Sequence, residues 1–336
     1  MPGANQLTEF RKRLLAWFGT QQRDLPWRRT RDPYRIWVSE IMLQQTRVAA
    51  AIPYFERFVE RFPDVAALAA ATEADLLAAW AGLGYYHRAR NLQKAARLIQ
   101  VAGGFPASYQ EIRQLPGVGD YTAAAVASIA FDLPHTAVDG NVLRVASRVF
   151  DDPMNVASTA GRKHFAVLAA KLLDRARPGA FNQAMMELGA TLCSPKNPRC
   201  LLCPVAEFCD ARANGSQNAL PVKLGNTQNV EEERAVFWIE DDDRLLVWQR
   251  PAESRLMPGF WELPEAVHLP MVAPGRKLGS FRHSITFHSY QFEVREAAAP
   301  QTTAGCRWMT RGDLERAPLS TIFKKAKRLV DDPQAK

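Results

Sequence analysis

Through the first 210 residues of this 336-residue chain, apolar side chains recur at helical spacing, with Ala and Leu abundant. Residues 65–80, 89–101, 121–131 and 162–173 each carry such a pattern. Breakers separate them: Phe62-Pro63-Asp64, Gly103-Gly104-Phe105-Pro106, Leu133-Pro134 and Arg177-Pro178-Gly179. The character changes after Cys209. Residues 211–230 are polar, poor in aromatics and carry Gly and Pro, the composition of a linker. From Arg234 the pattern is that of strands. Residues 235–239 are an apolar run, Asp241-Asp242-Asp243 marks a turn, and residues 245–248 resume the run. Residues 281–294 and 306–309 read as further strands, and residues 311–317 and 321–330 as helices. The expected organisation is a mostly α domain over 1–210, a linker over 211–230 and a smaller α+β domain over 231–336.

One turn between helices carries chemistry. Leu115-Pro116-Gly117-Val118-Gly119 leads into a helix opening at Asp120-Tyr121-Thr122. Its glycines let the backbone approach a ligand, and the helix start offers unpaired N–H groups to a phosphate. A plain helix–helix connection would have the same sequence. Downstream comes Asp139 in Ala137-Val138-Asp139-Gly140-Asn141-Val142, where an aspartate can also be a simple helix N-cap.

Charge narrows the partners. The net charge is +8, and residues 1–230 hold 27 Lys and Arg against 19 Asp and Glu, while residues 231–336 hold 16 of each. The whole surplus lies on the first part, which suits a polyanion such as a phosphate backbone, or a merely solvated basic surface. The longest apolar stretch, residues 123–131, is about half a membrane span, so a soluble cytoplasmic protein is expected, with no membrane partner.

Four of the five cysteines crowd into 17 residues: Cys193, Cys200, Cys203 and Cys209, spaced C-x6-C-x2-C-x5-C. Four soft thiolates on one short loop can close around a [4Fe-4S] cluster. Structural zinc also takes four cysteines, but usually as two short knuckles, and only Cys200 and Cys203 form one. Disulfides would need an oxidising compartment, and the N-terminus resembles no secretory signal. Lys196 and Arg199 put positive charge on the same loop. Cys306 stands apart as an ordinary small core residue.

Taken together, LPGVG, AVDGNV and the four-cysteine loop resemble the helix-hairpin-helix DNA glycosylases. Within them, PWR (26–28), WVSEIMLQQT (37–46), GLGYY (82–86) and FNQAMMELGA (181–190) resemble the MutY adenine DNA glycosylases. The resemblance implies a two-lobed all-helical domain, one lobe carrying the hairpin and the other the cluster. It also implies a monomer that binds double-stranded DNA, flips out an adenine opposite 8-oxoguanine or guanine, and cleaves it from its sugar. Adenine leaves only when its ring is protonated. Glu40 matches the acid, and its apolar neighbours Ile36, Trp37, Val38, Ile41 and Met42 should raise its pKa. A helix-face salt bridge to Arg35 or Arg47 is the bland alternative. Asp139 matches the carboxylate that stabilises or attacks the sugar cation, with Asn141 orienting it. Tyr121 stands where the related endonuclease III enzymes carry a Schiff-base lysine, so lyase chemistry by that route is not expected. Trp27, Arg28, Leu43 and Gln183 match the adenine pocket, and the Gln183 amide offers the donor and acceptor an adenine edge needs. Gln45 and Tyr85 match residues that enter the duplex. Gly117, Val118, Gly119, Lys196 and Arg199 match DNA contacts.

Residues 245–264 resemble the start of a Nudix-like fold. No acidic residue follows Glu265 until Glu293, so the metal-binding glutamate box of Nudix hydrolases is absent and triphosphate hydrolysis is not expected. The family role of this domain is recognition of 8-oxoguanine, usually by a Phe-Ser-His loop. The matching residues are Ile285, Thr286 and Phe287, or His288 if the match shifts by one; a plain strand is the alternative.

Overall fold

The computed structural model describes residues 4–224, 230–251, 253–254, 257–285, 288–300 and 305–332. The chain forms two compact units, residues 1–72 with 88–225, and residues 73–87 with 226–336. The helices before the strands are α1 (Ala4–Gln21), α2 (Pro33–Leu43), α3 (Val48–Arg61), α4 (Val65–Ala70), α5 (Glu73–Trp80), α6 (His87–Val101), α7 (Tyr109–Gln114), α8 (Asp120–Phe131), α9 (Gly140–Val149), α10 (Thr159–Leu172), α11 (Pro178–Thr191) and α12 (Asp210–Ala213).

Short polar side chains start many of these helices, as the capping rule requires. Asp32, Asp64, Ser108, Asp139 and Ser158 each accept an N–H from the first turn of the helix that follows. The apolar stretch 65–80, read as one helix, is two. Ala71 leaves helical geometry at ψ 144°, and α5 restarts on the acidic first turn of Glu73 and Asp75. The period runs on because both helices bury their leucines; the break lies in the backbone.

In the first unit, α1, α9 and α11 share a core of Phe10, Leu14, Val142, Val145, Phe181 and Leu188, and Cys193 and Cys203 pack against it. Asn182 on α11 donates to Ser128 Oγ and to the His135 carbonyl, both at 2.8 Å, and accepts the Ala137 N–H at 3.1 Å. That one buried amide fixes the path of the chain into Asp139. The stretch read as a linker packs on this unit through Leu220 and Val222. Val156 N–H donates to the Val222 carbonyl at 3.0 Å, Arg148 donates to the Leu220 carbonyl at 3.0 Å, and Leu220 is buried.

In the second unit, β1 (Val230–Trp238) pairs in parallel with β6 (His288–Glu296), which pairs antiparallel with β5 (Lys277–Ile285). The stretch 281–294 is thus a hairpin, with Phe281 opposite Phe292. A second sheet orders β2 (Glu240–Asp241), β3 (Arg244–Gln249) and β4 (Trp261–Glu262), with β7 (Cys306–Thr310) also on β3. Helices α13 (Arg311–Arg316) and α14 (Thr321–Asp331) follow, and Val236, Val247, Phe292, Val294 and Phe323 are among its core residues.

Candidate active site

A pocket of about 610 Å³ opens in the first unit, walled by α2, the start of α3, α8, the start of α9 and α11. Glu40, Asp139, Tyr121, Asn141, Trp27, Arg28, Leu43, Gln45 and Gln183 all line it. Chain segments more than 140 residues apart in sequence therefore converge on one pocket.

Glu40 lies on α2 with only 5% of its surface exposed. Burial pushes its carboxyl up to about 7, and the negative charge of Asp139 adds to the rise. Opposing this, the Tyr121 hydroxyl donates to Oε2 at 2.7 Å, and Arg28 attracts the ionised form. Arg35, the salt-bridge alternative, turns instead to Asp32 at 3.7 Å. Asp139 is the N-cap of α9: Val142 N–H donates to Oδ1 at 2.8 Å, and Asn141 Nδ2 donates to Oδ2 at 2.7 Å. Burial raises its pKa, and these donors hold it back. Capping and a site role are therefore compatible, because the carboxylate that closes the helix also faces the pocket. Arg144 donates at 2.8 Å to Asn141 Oδ1, at 2.8 Å to the Gly189 carbonyl and at 2.7 Å to the Cys193 carbonyl, so Asn141 is itself held.

Trp27 packs edge-on against Phe55 with centroids 5.4 Å apart, so it serves core and pocket together. Leu43 is half-buried at the pocket wall and Gln45 is exposed at its rim. Tyr85 belongs to the second unit, where it is exposed. Both Gln45 and Tyr85 hold the left-handed backbone conformation, at φ 59° and 50°, although neither is glycine.

The turn before α8 divides its residues. Gly117 needs to be glycine, with φ 77° and an added Cβ only 2.8 Å from the Asn91 Cβ. Gly119 has ordinary extended backbone and open space around it. The Val118 side chain is buried, and its N–H donates to the Leu115 carbonyl at 3.1 Å.

Cys193, Cys200, Cys203 and Cys209 line one small cavity of about 30 Å³ together with Arg148 and Arg199. Among the described residues no group of three or more His, Cys, Asp or Glu side chains is arranged to hold a metal ion. The four sulfurs share a cavity without converging as ligands of one ion. Burial pushes the Cys203 thiol up to about 12, and the neighbouring thiolates add to it. The buried Arg148 guanidinium donates to Cys193 Sγ at 3.2 Å and to the Ser194 carbonyl at 2.8 Å. Lys196 and Arg199 are exposed on this loop.

In the second unit, His288 Nδ1 lies 2.7 Å from Glu232 Oε1 and its ring stacks on Tyr290. The Ile285 side chain, Thr286 and Phe287 lie outside the described residues.

Residues 38–163 match the model of the HhH-GPD superfamily base excision DNA repair proteins. The chain is 35% identical to the adenine DNA glycosylase of Mus musculus, over 97% of this chain and 78% of that protein. The chain belongs to the adenine DNA glycosylase family. The Homo sapiens family member is 34% identical over 98% of the chain and 75% of its own length. One from Buchnera aphidicola (strain Bp) is 39% identical over 75% of the chain and 71% of its own. Among solved structures, a thermostable thymine-DNA glycosylase matches with a TM-score of 0.57 and 28% identity, covering 62% of this chain and 98% of that one. A non-covalent endonuclease III–DNA complex shares the fold at a TM-score of 0.53 and 23% identity, covering 64% and 99%.

The motifs of this adenine DNA glycosylase family member left some site residues unread. Glu187, fully buried on α11, receives two N–H groups from the Arg23 side chain at 2.7 and 2.8 Å and one from Arg28 at 2.8 Å. Those bonds hold its carboxyl well below the usual range despite burial. A lone carboxylate among the apolar residues of FNQAMMELGA was the available signal. Arg144 had none, because two of its acceptors are backbone carbonyls more than 40 residues away in sequence.

Proposed function

We propose that this chain removes adenine mispaired with 8-oxoguanine or guanine from double-stranded DNA, acting as a monomer in base excision repair. Glu40 gives its proton to a ring nitrogen of the flipped adenine. The glycosidic bond breaks with its electron pair passing to the base, and Asp139 stabilises or attacks the resulting sugar cation before water completes an abasic site. The observation that carries this reading is the pocket that gathers Glu40, with its carboxyl pushed up to about 7, and Asp139, fixed by Val142 and Asn141. Two carboxyls in one site with different environments divide acid and anion roles. Trp27, Arg28, Leu43 and Gln183 hold the base. Gln45 and Tyr85 enter the duplex. Gly117, Val118, Gly119, Lys196 and Arg199 meet its phosphates, on the part of the chain that carries the positive surplus.

Cys193, Cys200, Cys203 and Cys209 hold a [4Fe-4S] cluster, whose chemistry is that of a multi-iron cage that ties one loop together. Such a cage suits four cysteines that border one cavity. The purified protein should be yellow-brown with about four irons per chain; one zinc per chain would overturn this. Residues 231–336 form a Nudix-like domain that reads the opposing base through Ile285, Thr286 and Phe287, or His288.

The test is a panel of duplexes with adenine opposite 8-oxoguanine, guanine, cytosine and thymine, and thymine opposite guanine, assayed for base release and then for strand scission. Release of adenine opposite the two purines with the strand left intact is expected. Glu40→Gln and Asp139→Asn should each abolish release while duplex binding persists. Losses of only a few-fold for both would sink the assignment, and release of thymine in preference to adenine would redirect it.

A further inference from the structure

Arg88 is 5% exposed, on the first turn of α6, and its guanidinium reaches into the turn that ends α2. Nη1 lies 2.8 Å from the Ile41 carbonyl, 3.0 Å from that of Met42 and 2.5 Å from that of Gln44, and Nη2 lies 3.4 Å from Thr46 Oγ1. Two N–H groups on Nη1 serve three carbonyls, so at least one bond is bifurcated. Two of those carbonyls are among the four that a helix leaves without partners at its C-terminus. Helix α2 ends at Leu43, Gln44 departs at ψ 111°, and Gln45 turns into the left-handed region at φ 59°. Thr46 N–H closes the turn on the Leu43 carbonyl at 3.3 Å, and α3 begins at Val48. An uncharged apolar residue in place of Arg88 would leave the carbonyls free to rotate and Gln45 free to leave its strained conformation.

We propose that Arg88 is a positioning residue for base extrusion: by gripping the carbonyls on both sides of the α2 terminus it fixes the turn that presents Gln45 to the duplex. This rests on the reading of Gln45 as the group that enters the duplex. The same grip anchors the helix that carries Glu40 and Leu43, but its selective effect falls on the turn, because Glu40 is separately fixed by its buried helix and by Tyr121.

The test uses the full-length protein in single-turnover assays on two substrates. In one, adenine is paired opposite guanine in duplex and must be extruded. In the other, adenine stands opposite an abasic-site analogue, where extrusion costs least. Lysine at position 88 keeps the charge but offers no planar fork to span Ile41, Met42, Gln44 and Thr46. Arg88→Lys should lower the rate on the paired substrate by about tenfold or more, against less than about twofold on the open one, because extrusion costs a few kcal/mol only when the base is paired. Gln45→Ala should show the same selectivity, and the double variant should lose no more than the larger single loss. Thr46→Val, a milder change on the surface of the turn, should shift the ratio in the same direction. If Arg88→Lys lowers both rates equally, or its loss adds to that of Gln45→Ala, Arg88 is merely structural and the inference fails. If Gln45→Ala itself spares the paired substrate, the failure lies in the reading of Gln45.

Discussion

Glu40 makes the chemistry of this pocket sensitive to pH. A carboxyl near 7 is protonated below that value and loses its proton above it, so an acid-catalysed excision rate should fall as pH rises through about 7. The Tyr121 hydroxyl favours the ionised form by donating to it, so removing the hydroxyl raises the carboxyl further. Tyr121→Phe should therefore move the alkaline limb of the single-turnover pH profile upward; a downward shift or none would contradict this arrangement. The same raised pKa carries a cost in stability. Between about 4.5 and about 7 the folded state binds a proton that the unfolded state has released, so stability falls as pH rises across that window and stays lowered above it. Glu40→Gln removes the titration. Its gain in Tm over wild type should be larger at pH 8 than at pH 4.5, by an amount worth up to roughly 3 kcal/mol. Thermal scans at the two values with an equal gain would show that the carboxyl is not desolvated as described.

Helices α9 and α11 meet at a contact that leaves no room. A Cβ added at Gly189 would lie 2.5 Å from the Asn141 Cβ and 3.1 Å from its Cα. Gly189→Ala must displace Asn141, and with it the bond to Asp139 and the grip of Arg144. We expect a destabilisation of about 1–3 kcal/mol, as for an overpacked core. We also expect an excision loss of at least about tenfold with duplex affinity retained, since each 1.4 kcal/mol on the barrier is tenfold. A variant with lowered Tm but normal excision would mean that Asn141 does not orient Asp139. Glycine in FNQAMMELGA could be noted in the sequence but not explained, because its partner lies 48 residues earlier. Other features were readable for local reasons. The helices over 89–101 and 121–131 follow from apolar period, and the α9 start follows from an aspartate before a helical run. The break at Ala71 was hidden because leucine spacing continues across it. The docking of residues 214–224 was hidden because a polar, Pro-containing stretch reads as linker even when backbone bonds to Arg148 and Val156 tie it down. Of the pocket, the motif residues were legible. Arg144, which holds Asn141, was not, since carbonyl acceptors have no sequence signature.

Charge is unevenly divided along the chain. The +8 surplus sits within residues 1–230, while residues 231–336 are neutral overall. Phosphate contacts set affinity and its salt dependence, whereas direct contacts to a base edge set selectivity. If residues 231–336 read the base opposite the adenine, a change there should alter the choice among substrates and leave the salt slope of duplex binding where it was. Thr286 is the residue to change, because its hydroxyl is the one side-chain hydrogen-bonding group in the match that gives Ile285, Thr286 and Phe287. Its neighbours Ile285 and Phe287 can pack but cannot distinguish an oxidised from an ordinary guanine by a hydrogen bond, while His288 already faces Glu232 at 2.7 Å. Thr286→Ala should therefore lower the ratio of excision opposite 8-oxoguanine to excision opposite guanine by about tenfold, the worth of one direct contact at roughly 1–3 kcal/mol. Adenine release opposite guanine should persist, because Glu40 and Asp139 are untouched. An unchanged ratio in Thr286→Ala, together with a changed ratio in His288→Ala, would move the reading group two residues along the chain and detach His288 from a purely structural pairing with Glu232.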